Sequence, residues 1–271
     1  MPKKTLRPAI MPAIMPLIIL ITMDIIKEIE ILYNQLPQVA CRGCGQCCVS
    51  PTTTLAEFIF LMHHMQNVVP QPIIEEFIFA SPHVNTVHEG NIDCSLLRQS
   101  KCTVHPWRSG ACRLFGIPSL DELGVSNLVS CFNNISVTSG QYDKPFIMQW
   151  LDSLVLLNKS LYSFGKEPYF IYGFNLECWL DIYFDELIAD EVFCQIRNIM
   201  KQHFDLSAFA PRYAPKTGLK DKIDKINILT MLIDTGDKDS IRDLCISIRD
   251  DYPLTGTYFT KEAETFLTAL E

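Results

Sequence analysis

The chemistry in this sequence is concentrated in cysteines, which fall into two groups. The first is Cys41-Arg-Gly-Cys44-Gly-Gln-Cys47-Cys48, four thiols within eight residues. The second is spread out as Cys94, Cys102, Cys112 and Cys131, with His105 inside it. A soft metal needs several thiolates converging at about 2.3 Å from one point. Cysteines two residues apart achieve this because a tight turn folds the second sulfur back beside the first. Gly43 and Gly45 sit in those turns, where the backbone must approach closely. Three cysteines at this spacing plus an adjacent fourth are denser than a zinc ribbon requires. Such runs also suit iron–sulfur clusters, each iron of which takes one protein ligand. The spacing is not that of the bacterial ferredoxins.

Neither group supplies every ligand that a closed multi-thiolate site wants, so convergence of the two is the economical expectation. The expected metal set is Cys41, Cys44, Cys47, Cys48, Cys94, Cys102, Cys112 and Cys131, with His105 as a further candidate. Eight thiolates suffice for two four-ligand sites, or for one cluster and a separate zinc. Zinc, iron and a 4Fe–4S cluster all remain open as cofactors. His105 has two other roles open to it: orienting Cys102 through a hydrogen bond, or filling space. Arg42, Arg108 and Arg113 lie close by in sequence to offset thiolate charge, with guanidinium forks that stay ionised.

The setting for these cysteines is a chain of 271 residues, 48% apolar and 20% charged, with a net charge of −8. That apolar content excludes general disorder. The length allows one large domain or two small ones. The acidic balance argues against non-specific nucleic-acid binding, since nothing basic enough to track phosphates is present. Eleven cysteines cannot all pair, and a chain this long does not need staples to fold. Metal binding in a reducing, cytoplasmic compartment is therefore expected.

Residues Ala9–Met23 form a 15-residue apolar run behind Lys3, Lys4 and Arg7. The run is shorter than the roughly 20 residues of a membrane span. Pro12 and Pro16 interrupt it, and no small-residue cleavage site follows. The expectation is that residues 1–22 are an upstream extension and Met23 the natural start, with a membrane anchor as the alternative. Ile25, Ile26, Ile29, Leu32 and Leu36 then make a helical apolar stripe.

The elements that must position the cysteines read as helical. Thr54 and Glu57 form a capping box opening a helix near 55–67, and a second helix is expected over 73–80. Residues 81–140 read as loops with short elements. Three more stripes follow: Leu187–Phe204, Ile223–Ile233 and Ile241–Ile248, while Tyr169–Phe174 is a candidate strand. The expected fold is mostly α, a cysteine-rich loop module packed on helices with a helical C-terminal half. The divisions are 1–22, 23–140 and 141–271.

Other chemically capable residues read as structural. His63 and His64 point about 100° apart on a helix, so they do not form a metal pair and are expected to be solvated or capping. Cys178, Cys194 and Cys245 read as small core residues. The aromatics from Trp150 to Phe193 read as core, with a ligand groove as the lesser alternative. Asp181, Asp185, Glu186, Asp190 and Glu191 read as the solvated face of one helix. No Ser-His-Asp order, phosphate loop or zinc-protease motif is present.

The first cysteine run, together with Cys94, Cys102, Val104, His105, Arg108, Cys112, Arg113, Phe115 and Cys131, resembles the bacterial CxxCxxCC cysteine-cluster family. That family includes YkgJ-like proteins and flagellin lysine N-methylase. Ser109 stands where the family has proline after the arginine, and Gly116 where proline often follows the aromatic. The resemblance covers about residues 41–131 and implies a zinc- or iron-chelating module. Through the methylase it also implies protein lysine methylation with S-adenosylmethionine, acting on a protein partner or substrate. A third reading is a metal-handling chelator. The sequence has no glycine-rich nucleoside loop beside the metal knot to support methyl transfer.

Overall fold

The computed structural model describes residues 25–36, 51–80, 84–85, 91–92, 94–99, 101–114, 142–161, 174–221, 223–225, 228, 232, 238–250 and 267. Residues 1–22 lie outside that set, as do Cys41, Cys44, Cys47, Cys48 and Cys131. Helix α1 occupies residues 25–34; of the stripe read from the sequence Ile25, Ile29 and Leu36 are buried and Ile26 and Leu32 partly so, and Tyr33, outside that stripe, is buried as well.

Helix α2, Leu55–Val68, is the centre of the fold. Thr54 caps it in the expected capping box, its hydroxyl accepting from the Glu57 N–H while the Glu57 carboxylate accepts from the Thr54 N–H. Leu55–Met62 are all buried, so the helix is covered on every side through its first two turns. On one side Phe58, Leu61 and Met62 join a large cluster with Trp179, Ile196 and Phe204. On the other, Ala56 and Phe60 join a second cluster with Ile29, Tyr33, Trp150 and Leu154. Helix α3, Gln71–Phe79, begins with Pro72 in its first turn and buries Ile74, Phe77 and Ile78 against the larger cluster.

Strand content among the described residues is three two-stranded ladders. β1 (Thr52–Thr53) pairs antiparallel with β6 (Phe174–Asn175), Thr53 opposite Phe174. The candidate strand at 169–174 thus contributes its last residue; 169–173 lie outside the described set. β2 (Val84–Asn85) pairs with β3 (Asn91–Ile92), and β4 (Leu97–Arg98) with β5 (Lys101–Cys102). A short helix, α4, follows at Gly110–Leu114.

Helix α5, Lys144–Ser160, lays Ile147, Trp150 and Leu154 on the second cluster. It also supplies buried Asn158, whose Oδ1 accepts from the Ala56 N–H at the start of α2. Helices α6 (Leu176–Phe184) and α7 (Glu191–His203) close the larger core. Trp179 stacks on Phe58 at 6.0 Å and donates from Nε1 to the Thr53 carbonyl at 3.0 Å. Helix α8, Lys238–Asp250, buries Ile241 and Cys245 there as expected. The aromatics Trp150, Phe174, Trp179, Tyr183 and Phe193 are buried, and Cys178 is fully buried. No helix among the described residues is long and apolar enough to cross a membrane.

Two expectations are corrected. The acidic run does not share one helix: Asp185 ends α6 and Asp190 caps α7, its carboxylate accepting from the Val192 N–H. Asp181 is 1% exposed, and its carboxylate takes bonds from the Tyr213 hydroxyl, the Lys216 and Thr217 N–H groups and the Thr217 hydroxyl. Leu187 accordingly lies before α7 and is exposed. Arg197 stitches this turn, donating to the carbonyls of Ile182, Asp185 and Ile188. His64 is the second correction. It stacks on Trp107 at 5.4 Å, almost parallel, with Nε2 3.5 Å from Glu30.

Trp179 both fills the core and ties β1 to α6. Trp179→Ala is expected to lower unfolding free energy by about 3–5 kcal/mol. Urea denaturation followed by circular dichroism measures this, and a near-neutral variant would contradict the assigned packing.

Candidate metal centre

The described part of the second cysteine group is built on a hairpin. The Cys94 carbonyl accepts from the Leu97 N–H at 2.9 Å, and Leu97 pairs across the ladder with Cys102. Gln99 turns the chain with φ 48°, a left-handed conformation for a side-chain-bearing residue. Thr103 returns its N–H and hydroxyl to the Leu96 carbonyl, each at 3.0 Å. Leu96 and Val104 are buried in the larger cluster, and Arg98 reaches Glu76 of α3 at 2.6 Å. The hairpin is thus pinned to the helices on both its apolar and charged sides.

From Val104 the chain makes a 3-10 turn at His105–Trp107 and enters α4, which carries Cys112. The seat of α4 is the Glu57 carboxylate. Its Oε1 accepts from the Gly110 N–H at 2.6 Å and the Tyr33 hydroxyl at 2.9 Å, while Oε2 accepts from the Thr54 N–H and hydroxyl. Glu57 is 4% exposed, so each of these bonds forms out of water. Burial and the adjacent carboxylate hold the Tyr33 hydroxyl far above its ordinary titration range, keeping it a donor. Gly110 is required by space: a Cβ there would lie 2.6 Å from Trp150 Cη2 and 2.9 Å from Glu57 Oε1.

Arginines surround this seat. Arg113 is buried, lies 4.2 Å over the Tyr33 ring and donates to the carbonyls of Arg108 and Pro106. Burial lowers its pKa, and Tyr33, Glu57 and Cys112 push in the opposite direction. Arg108 is buried too, with Nη1 on His105 Nε2. Burial first, then Arg108 and Arg113, bring the His105 pKa down to about 4, so the ring is neutral near pH 7.

Of the expected ligands, Cys94, Cys102 and Cys112 are described. Cys94 is buried; Cys102 and Cys112 are half-buried. The Cys94 thiol is pushed well up, mainly by burial, with Cys112 the next cause and Cys102 also contributing, so the three share an electrostatic neighbourhood. Ser109 donates its hydroxyl to Cys112 Sγ at 3.5 Å. Among the described residues, no three His, Cys, Asp or Glu side chains are arranged to hold one metal ion. Cys41, Cys44, Cys47, Cys48 and Cys131 fall outside them, as do Arg42, Phe115 and Gly116.

The sequence pointed to Glu57 as a helix cap and to nothing more. Its bond to Gly110 spans 53 residues and leaves no local pattern. Tyr33 and Gly110 carried no signal at all.

Residues 40–131 match the model of the CxxCxxCC family, described as "Putative zinc- or iron-chelating domain". The match covers about a third of the chain and includes both cysteine groups. No curated protein and no solved structure matches the chain.

The seat leaves no room for a methyl group. Gly110→Ala is expected to destabilise the protein by about 1–3 kcal/mol through overpacking. Glu57→Gln is expected to cost about 1.5–3 kcal/mol, because an amide offers one acceptor where four donors converge. Thermal melts of both variants test this; wild-type melting in both would show that α4 is not seated on Glu57.

Proposed function

We propose that the chain holds a resident zinc or iron centre, with thiolate ligands drawn from both cysteine groups. The observation that carries this reading is the set of donors on Glu57. Tyr33 lies just ahead of the first cysteine group, Thr54 just behind it, and Gly110 two residues before Cys112. One buried carboxylate therefore gathers chain flanking the first group and chain within the second.

The residues present fit such a centre. Arg108 and Arg113 are buried cations beside the buried Glu57 carboxylate, Glu177 is a further buried carboxylate whose charge acts on Cys94, and Arg108 Nε is buried without a partner among the described residues. A thiolate supplies an anionic acceptor for that N–H. When bound, the metal supplies a cross-link between segments distant in sequence. The chain's own residues do the rest: Ser109 donates to Cys112, Arg113 stabilises its ionised form, and Glu57 with Gly110 fixes where α4 starts.

A structural or redox centre fits this arrangement better than a cargo ion, because Cys94, Cys102 and Cys112 stand on a hairpin and a helix that are anchored to the helical core. Lysine methylation rests on the family resemblance alone.

Metal analysis and an ultraviolet–visible spectrum of anaerobically purified full-length protein test the proposal. Stoichiometric zinc in a colourless protein, or iron with visible sulfur-to-iron absorption, is the expected result; neither metal in fresh material overturns it. A structural centre contributes about 10–16 kcal/mol of apparent binding free energy, comparable with the ~5–15 kcal/mol stability of a whole protein. Cys47→Ser and Cys112→Ser, one from each group, are therefore both expected to lose metal and melt at lower temperature. Unchanged metal content and melting in both would falsify a shared centre.

A further inference from the structure

Three imidazoles form a row across the second half of α2, from the turn ahead of α4 to the end of α7. His64 fills a slot between the edge of Phe60, at 4.5 Å, and the face of Trp107, which it parallels to within 3°. Its Nε2 is buried and makes no hydrogen bond among the described residues. The His63 ring stands 5.4 Å from His64 at 90°, and Asn67 donates to the His63 carbonyl at 2.7 Å. His203, in the last turn of α7, completes the row, since His63 acts electrostatically on both it and His64.

Protonating this row sets like charges side by side against Phe60 and Trp107. The charged groups around it offset little of that cost. Glu30 of α1 has Oε1 3.5 Å from His64 Nε2, but its side chain is 49% exposed, so its attraction is screened. Asp205, just beyond α7, directs its carboxylate to the Ser207 N–H, and Lys201 of α7 lies over the Tyr183 ring. The turn ahead of α4 presents the neutral ring of Trp107. The C-terminal end of α7 favours a cation at His203. Burial outweighs it: burial first, then His63, bring the His203 pKa down to about 4. Burial and His63 likewise lower that of His64, against the pull of Glu30. Both rings are therefore neutral near pH 7.

We propose that this histidine row is an acid-sensitive latch: neutral, it holds α7 and the Trp107 turn on α2, and it loosens them as the pH falls. In an opened chain an imidazole titrates near 6.5, so at pH 5.5 it is protonated about ten to one. The closed row excludes that proton. Stability from the row is thus fully present above about pH 6.5 and is lost progressively below it, toward the folded-state value. The latch uses no cysteine and stands apart from the metal reading.

Urea denaturation of the full-length protein at pH 7.5 and 5.5 measures the loss. Between these values the wild-type unfolding constant is expected to rise about 10-fold more than that of His203→Gln. It is expected to exceed the rise in His64→Gln by a smaller factor. Contributions from His105, from carboxylates and from any bound metal are common to all three proteins and cancel in the comparison. An unchanged pH response in either variant overturns the proposal. Amide exchange localises the effect at the Phe204 N–H, which bonds the Met200 carbonyl at the end of α7. Corrected for intrinsic rate, its protection is expected to fall about 10-fold from pH 7.5 to 5.5 in wild type and to hold in His203→Gln. Equal behaviour of the two proteins overturns the latch. If a variant does not fold, nuclear magnetic resonance titration of the wild-type imidazole C–H groups decides. Midpoints of about 4 for His203 and below the ordinary value for His64 are expected. A midpoint of about 6.5 or above for either ring overturns the proposal.

Discussion

The structure depends on one buried carboxylate. Glu57 is accessible over only 4% of its surface, and a carboxylate removed from water is tolerated only when hydrogen bonds and opposite charge replace the lost hydration. Here the Tyr33 hydroxyl, the Gly110 N–H and two groups of Thr54 supply the bonds, and Arg113 supplies the charge. The position at the start of α2 also favours an anion, because the exposed N–H groups there carry partial positive charge. The same demand works in reverse. Since Glu57 cannot be left unsatisfied, the segments bearing its donors cannot wander.

That constraint matters because the cysteine-bearing elements are too small to hold themselves. Two-residue strands and a five-residue helix are far below the size at which such elements are stable alone. They borrow rigidity from α2, which is buried on two opposite sides by separate apolar clusters. Leu96 and Val104 insert into one cluster and Leu114 into the other, so the described part of the second cysteine group spans both. Trp107 contributes through its stack on His64 of α2.

Local signals in the sequence were legible, and distant pairings were not. Thr54 and Glu57 announce a helix start because a capping box is complete within four residues. Ile25, Ile29 and Leu36 announce a buried face because helical periodicity is a local property. The acidic residues 181–191 misled because charge alone does not say whether water or protein satisfies it. Asp181 is satisfied by Tyr213, Lys216 and Thr217, more than thirty residues away. The pairing of His64 with Trp107 is equally non-local. For the candidate site, cysteine spacing pointed to the family whose model residues 40–131 match. The seat formed by Glu57, Tyr33 and Gly110 depends on contacts that no spacing rule encodes.

Ser109 stands where the resemblance to the CxxCxxCC family leads one to expect proline, and the structure shows what the serine does there. A proline there would fix the backbone through its ring and offer no side-chain donor. Serine instead stands immediately before α4, a position where its type is favoured. Its carbonyl accepts from the Arg113 N–H at 3.0 Å, while its hydroxyl bonds the Cys112 sulfur. The first N–H of the helix needs no capping side chain, because Glu57 already takes it. The serine hydroxyl is thereby released to act on sulfur, and donors to sulfur stabilise the thiolate and tune the metal it binds. The rigidity that proline would have given the turn is supplied by Glu57 instead, and the hydroxyl becomes part of the sulfur's environment.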